Sequence, residues 1–185
     1  MPAAEAELWS PSLLGSTLAF VEVHYLDERS SDERHVYLTT TDPAAEPRRL
    51  DRSGRATMPV VIDDGVLWKE AEEGFSMFNW GRMFRYDPAD DSIQLLSTLP
   101  QQWVNYPSAG HRYAAWWGAD GFQLAVYDLL NEDELLLARH SIASQENELR
   151  PHVAGDLLVW LHVEPEGRDT RSELRYTFLP GPRDP

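Results

Sequence analysis

The stretch Pro151-His-Val-Ala-Gly-Asp-Leu-Leu-Val-Trp160 decides the fold. A proline opens it, Gly155-Asp156 supplies a tight turn, and an apolar run closes on tryptophan. The same frame occurs four times, with a large aromatic nine positions after each proline: Pro11 to Phe20, Pro59 to Trp68, Pro107 to Trp116 and Pro151 to Trp160. Successive prolines are 48, 48 and 44 residues apart. A fixed period of roughly 40–50 residues with one aromatic per unit is the signature of a repeat array, in which no unit can bury its apolar face alone.

Each unit reads as strands separated by turns. In the first, Leu18 to Tyr25 and His35 to Leu38 are strand-like, and Arg48-Arg49-Leu50 fits a short outer strand. In the second, Val60-Val-Ile62 and Val66-Leu67-Trp68 flank Asp63-Asp64-Gly65 as a hairpin, followed by Arg82 to Asp87 and Ser92 to Leu96. The third offers Tyr113 to Trp117, Phe122 to Asp128 and Glu134 to Leu137, and the fourth Leu157 to Val163 and Glu173 to Phe178. Tyr37, Tyr86, Tyr127 and Tyr176 form a second periodic mark, each late in the strand after the Phe or Trp. Three to four antiparallel strands per unit make one propeller blade. The expectation is therefore an all-β chain, a single β-propeller domain of about four blades, with units near 11–58, 59–106, 107–150 and 151–180. Residues 1–10 are either a frayed terminus or a strand that closes the last blade, with Leu8-Trp9 docked in it.

The Gly155-Asp156 turn, the apolar strand ending in Trp160, and Val126-Tyr127-Asp128-Leu129 in the later strand resemble TolB-like propeller repeats. The resemblance covers most of the chain. The first unit departs from it, with Phe20 in place of Trp and no Tyr-Asp-Leu. The resemblance implies a propeller and no single activity, since such propellers include protein-binding modules, peptidase accessory domains and glycan-active enzymes.

Composition narrows the classes. The net charge is −15, and Lys69 is the only lysine. Such a surface repels phosphate backbones and anionic membranes, so neither nucleic acid nor membrane is an expected partner. The nearest basic patch, Arg48, Arg49, Arg52 and Arg55, has Asp51 among its members. The absence of cysteine removes disulfides, thiolate catalysis and thiolate-bound zinc. No basic and apolar leader is visible at residues 1–10, and no run approaches the length of a membrane-spanning helix, so a cytoplasmic location is expected.

Catalytic signatures are lacking. There is no GxSxG, no HExxH and no phosphate-cradling glycine loop. Asp63-Asp64, Asp90-Asp91 and Glu132-Asp133 are dense enough for metal or acid–base work, yet each falls in a predicted turn, where aspartate bonds the local backbone. No metal site and no cofactor is expected. His111 and His152 lie just after the prolines of units three and four, which in a propeller puts them near the central channel as candidate ligand-binding residues. The stretch 74–81, GFSMFNWG, places Phe75, Met77, Phe78 and Trp80 where the other units carry polar turns. The four are either packed back on their own blade or candidate contacts for a partner.

These features favour a non-catalytic propeller module for protein binding or scaffolding, dependent on a second copy or another chain. The alternative is binding of a small molecule, glycan or metal at the channel, with or without catalysis. A structural subunit of a phage or secretion machine is a third reading.

Overall fold

The computed structural model describes residues 6–25, 32–72, 81–96, 105–118, 123–139, 151–166 and 169–181. Each proline-to-aromatic frame folds as a hairpin. Its proline lies in or just before the first strand, and its aromatic lies in the second. The first sheet contains β1 (Glu7–Leu14), β2 (Thr17–Tyr25), β3 (Asp32–Thr40) and β4 (Arg48–Arg49), hydrogen-bonded in that order. The second contains β5 (Ala56–Ile62), β6 (Gly65–Ala71), β7 (Gly81–Asp87) and β8 (Ser92–Leu95). The third contains β9 (Asn105–Ala109), β10 (Tyr113–Gly118), β11 (Gln123–Asp128) and β12 (Asp133–Arg139). The fourth contains β13 (His152–Ala154), β14 (Leu157–Glu166) and β15 (Asp169–Phe178). All are antiparallel meanders, and the described residues include no helix, hence none that could cross a membrane. The all-β, four-bladed expectation is met, and 129–139 form a turn and a strand.

Residues 1–98 and 99–185 form two compact units. In the first unit, Ala19, Val21, Val23 and Val36 from one face of the first sheet pack with Val66, Trp68 and Tyr86 from the second sheet. In the other unit, Tyr113, Ala115, Trp117, Leu124 and Val126 of the third sheet pack with Leu158, and Val153 and Trp160 lie against them.

The frame aromatics are not equally buried. Trp68 and Trp116 are fully enclosed, whereas Phe20 and Trp160 are half-buried. Phe20 lies on the face of the first sheet turned away from its core, stacked on Tyr37 with ring centroids 5.7 Å apart. Trp68 stacks on Phe84 at 5.8 Å and Trp116 on Tyr127 at 6.5 Å.

The described part of the N-terminal segment, from Glu7 onward, neither frays nor closes the last blade as expected. Leu8 pairs with Glu22 and Trp9 with Val21, so this segment is the first strand of the first sheet. Arg34 lies over the Trp9 ring at 4.9 Å.

Turn chemistry is local and explicit. Gly65 follows the Asp63-Asp64 turn, and a Cβ there would run into the Tyr86 carbonyl oxygen, so only glycine fits. Asp128 ends β11, and its carboxylate accepts from the Leu130 and Asn131 backbone amides at 3.1 and 3.2 Å. Arg112 closes the same carboxylate, with Nε at 3.1 Å and Nη2 at 2.6 Å. Burial alone would raise this carboxyl, but the Arg112 guanidinium and the Asn131 and Leu130 donors hold it below its ordinary value.

Candidate interaction surfaces

Residues paired across antiparallel strands share a face. In the fourth sheet, Leu157 pairs with Phe178, Val159 with Tyr176 and Leu161 with Leu174. None of these six points into the core. Leu174, Tyr176 and Phe178 are 70 %, 69 % and 67 % exposed, and the β14 residues are half-buried. The opposite face carries Leu158 and Trp160 toward the third sheet. Both faces of this sheet are thus apolar, and only one is covered. Elsewhere, Leu67, Met83 and Leu96 on the second face of the second sheet are fully buried. A strand that is apolar on both sides is built to be enclosed on both sides.

The first sheet has a matching open face. Leu8 and Leu13 of β1 are 67 % and 60 % exposed, and Leu13 pairs with Leu18. Leu18, Phe20 and Tyr37 continue this face, half-buried. Its far end is polar: His24 Nε2 lies 3.0 Å from Glu22 Oε2, and the His24 and His35 rings are 6.0 Å apart.

His35 belongs to a buried polar knot that the sequence did not announce. Its Nδ1 lies 3.1 Å from Asp51 Oδ2, and its Nε2 3.6 Å from Glu33. Asp51 also accepts from the Val36 amide at 2.9 Å and the Gly54 amide at 3.0 Å. Gly54 has φ +70°, and a Cβ there would sit 3.3 Å from the His35 ring. With both ring nitrogens facing carboxylates and backbone donors on the aspartate, this constellation anchors the loop after β4.

Three arginines of the basic patch, Arg48, Arg49 and Arg55, are turned to carboxylates and carbonyls. Arg48 donates to Asp91, Arg49 meets Asp51 at 3.4 Å, and Arg55 donates to the Ala71 carbonyl at 3.3 Å. Asp64 receives Arg85 at 2.7 Å, and Asp90 accepts from the Ser92 amide at 3.0 Å. Among the described residues no group of three or more His, Asp or Glu is placed to hold a metal ion.

Of the residues singled out from the sequence, His111 is exposed in the turn between β9 and β10. His152 opens β13, pairs with Val159 and so belongs to the open face of the fourth sheet. Gly110, beside His111, approaches Val153 on the opposite face of β13, at 3.3 Å from the position of an added Cβ. Phe75, Met77, Phe78 and Trp80 lie outside the described residues.

Two serines tie neighbouring sheets through their first strands. Ser12 Oγ accepts from the Val61 amide at 2.9 Å, and Ser108 Oγ from the Val153 amide at 3.2 Å. Each serine directly follows a frame proline, and each acceptor reaches the residue two after the next frame proline. In the fourth sheet the same place is filled by His152.

No protein-family model and no curated protein sequence matches the chain. Solved structures do. The β-propeller domain of the Trilobed protease from Pyrococcus furiosus, described as having an open Velcro topology, matches with a TM-score of 0.62 at 13 % identity, over 96 % of this chain and 56 % of that one. Pyrococcus horikoshii acylaminoacyl peptidase matches with a TM-score of 0.61 at 11 % identity, over 94 % of this chain and 33 % of its own. An acylaminoacyl peptidase in complex with Z-Gly-Gly-Phe-chloromethyl ketone gives 0.60 at 13 %, over 94 % and 32 %. The chain thus spans about half the length of the first and a third of the others. At such identity the likeness carries the architecture alone, and that architecture is a β-propeller.

Proposed function

We propose that this chain is a non-catalytic propeller module for protein binding or scaffolding, whose open sheet faces dock onto another protein surface. The observation that carries this reading is the fourth sheet. Leu174, Tyr176 and Phe178 stand exposed in a row on a sheet whose other face is already packed. Scattered apolar side chains are ordinary on a surface, but a contiguous apolar sheet face is not. Aromatic anchors at the centre of a patch are also what protein interfaces use. Phe75, Met77, Phe78 and Trp80 remain proposed partner contacts on composition alone.

Site-specific photo-crosslinking tests this reading. A photoreactive residue at position 176 is expected to give a discrete protein adduct in source cells. One at exposed Asp90, in the turn after β7, is expected to give none. No adduct from position 176 or from position 13, on the open face of the first sheet, would refute it.

A further inference from the structure

We infer that the open face of the fourth sheet is covered by the open face of the first sheet of a second copy of this chain, head to tail. The inference rests on the docking reading above and names the occupant. It follows from a packing rule that the molecule states twice. Between the first and second sheets, the face bearing Ala19, Val21 and Val23 receives the face bearing Val66 and Trp68. Between the third and fourth sheets, the face bearing Tyr113, Ala115 and Trp117 receives the face bearing Leu158, with Trp160 against it. In both pairs the donor of the frame aromatic is the later sheet.

Among the described residues two faces are left open, and they are of the two opposite kinds. Phe20, the frame aromatic of the first sheet, stacks on Tyr37 on an open face. By the shared proline-to-aromatic frame, Val159 and Leu161 of β14 occupy the positions of Ala19 and Val21, and with Leu157 they are half-buried on a face whose β15 members are exposed. An apolar face that lacks its successor and an aromatic face that lacks its predecessor fit each other by the rule inside each unit.

The first strands give a second, independent match. Ser12 and Ser108 each accept from a backbone amide of the next sheet, two residues past its frame proline. His152 holds that place in the fourth sheet, and the residue two past Pro11 is Leu13, on the exposed first strand. An unprotonated imidazole nitrogen can accept from an amide as the serine hydroxyls do. Because two different patches meet, the contact is heterologous, and each copy presents one of each.

The test uses light scattering and analytical ultracentrifugation over a concentration series. Wild type is expected at no less than twice 21.1 kDa. Tyr176→Glu and Leu13→Glu change exposed side chains on opposite partners of the contact. Each alone is expected to weaken association by about 30-fold or more, the effect of losing one interface anchor. A cooperative melt confirms that each is folded, and Leu8→Glu replaces Leu13→Glu should it not be. Mixing the two variants restores one intact contact and is expected to give a heterodimer. An assembly that survives either substitution, or a mixture that stays monomeric while wild type associates, overturns the head-to-tail contact. So does a wild type that is monomeric throughout. In that last case an adduct of position 176 with a different protein keeps the docking reading, and no adduct removes both.

Discussion

Lys69 is the one lysine in the chain, and it is completely enclosed. It stands in β6 between Thr57 and Met83 on the neighbouring strands. Gly81 leaves space for its stem: a Cβ there would lie 2.7 Å from Lys69 Cε. Burial pulls its ammonium from 10.5 down to about 7. The unfolded chain therefore holds a proton that the native chain releases between those values, and wild-type stability rises with pH across that window. Below about pH 7 both states carry the proton and the dependence flattens. The full shift, 10.5 − 7, is 3.5 pH units, or at most about 5 kcal/mol at roughly 1.4 kcal/mol per unit. Lys69→Met keeps the stem and removes the charge. Chemical denaturation of both proteins at several pH values isolates the effect, since every other titrating group cancels in the difference. Wild type is expected to gain about 2 kcal/mol on the Met variant between about pH 7 and about pH 9. Stability curves that run parallel from about pH 6 to about pH 9 would refute the assigned burial.

Three further outcomes follow from the packing. Trp68→Ala, which empties an enclosed and stacked position, is expected to cost about 3–5 kcal/mol, and half-buried Trp160→Ala less, by urea denaturation; equal costs would contradict their unequal burial. Asp51→Ala strands His35 and two backbone amides, so a loss of about 3 kcal/mol or more is expected, and a change below about 1 kcal/mol would show that the knot is not structural. Asp128 has a depressed pKa, so its stabilisation is full above the ordinary carboxylate value of 3.8 and fades as pH falls through the lower native one. Asp128→Asn is expected to flatten the acid limb of the stability curve below about pH 4, read by circular dichroism.

The repeat spacing made the architecture legible. Proline, turn and aromatic recur because the first two strands of every blade face the same problem, and Arg48-Arg49 emerged as the short outer strand expected. The Tyr-Asp-Leu stretch at Tyr127 was legible too, since the aspartate caps its own turn. Contacts between distant residues were not. Asp51 lies 16 positions from His35, and no local pattern announces that they meet. The enclosure of Lys69 leaves no mark in the sequence, because burial of a lysine depends on what the other face of its sheet meets. The linking serines carried a faint signal, Pro-Ser at residues 11–12 and 107–108, which gains meaning once first strands are known to lie side by side. The open faces were hidden for a related reason: an apolar strand reads the same whether or not its neighbour is present.

The ordering of the strands also bears on how the protein is made. Every sheet is completed by consecutive strands, so no strand waits for a pairing partner encoded far downstream. At synthesis rates of about 5–20 residues per second, the first sheet can zip within seconds of leaving the ribosome. Its Ala19 and Val21 face then stays wet only until the second sheet emerges. The apolar row on β15 follows the three other sheets in the chain, so it is displayed on the ribosome for a shorter time than the open face of the first sheet.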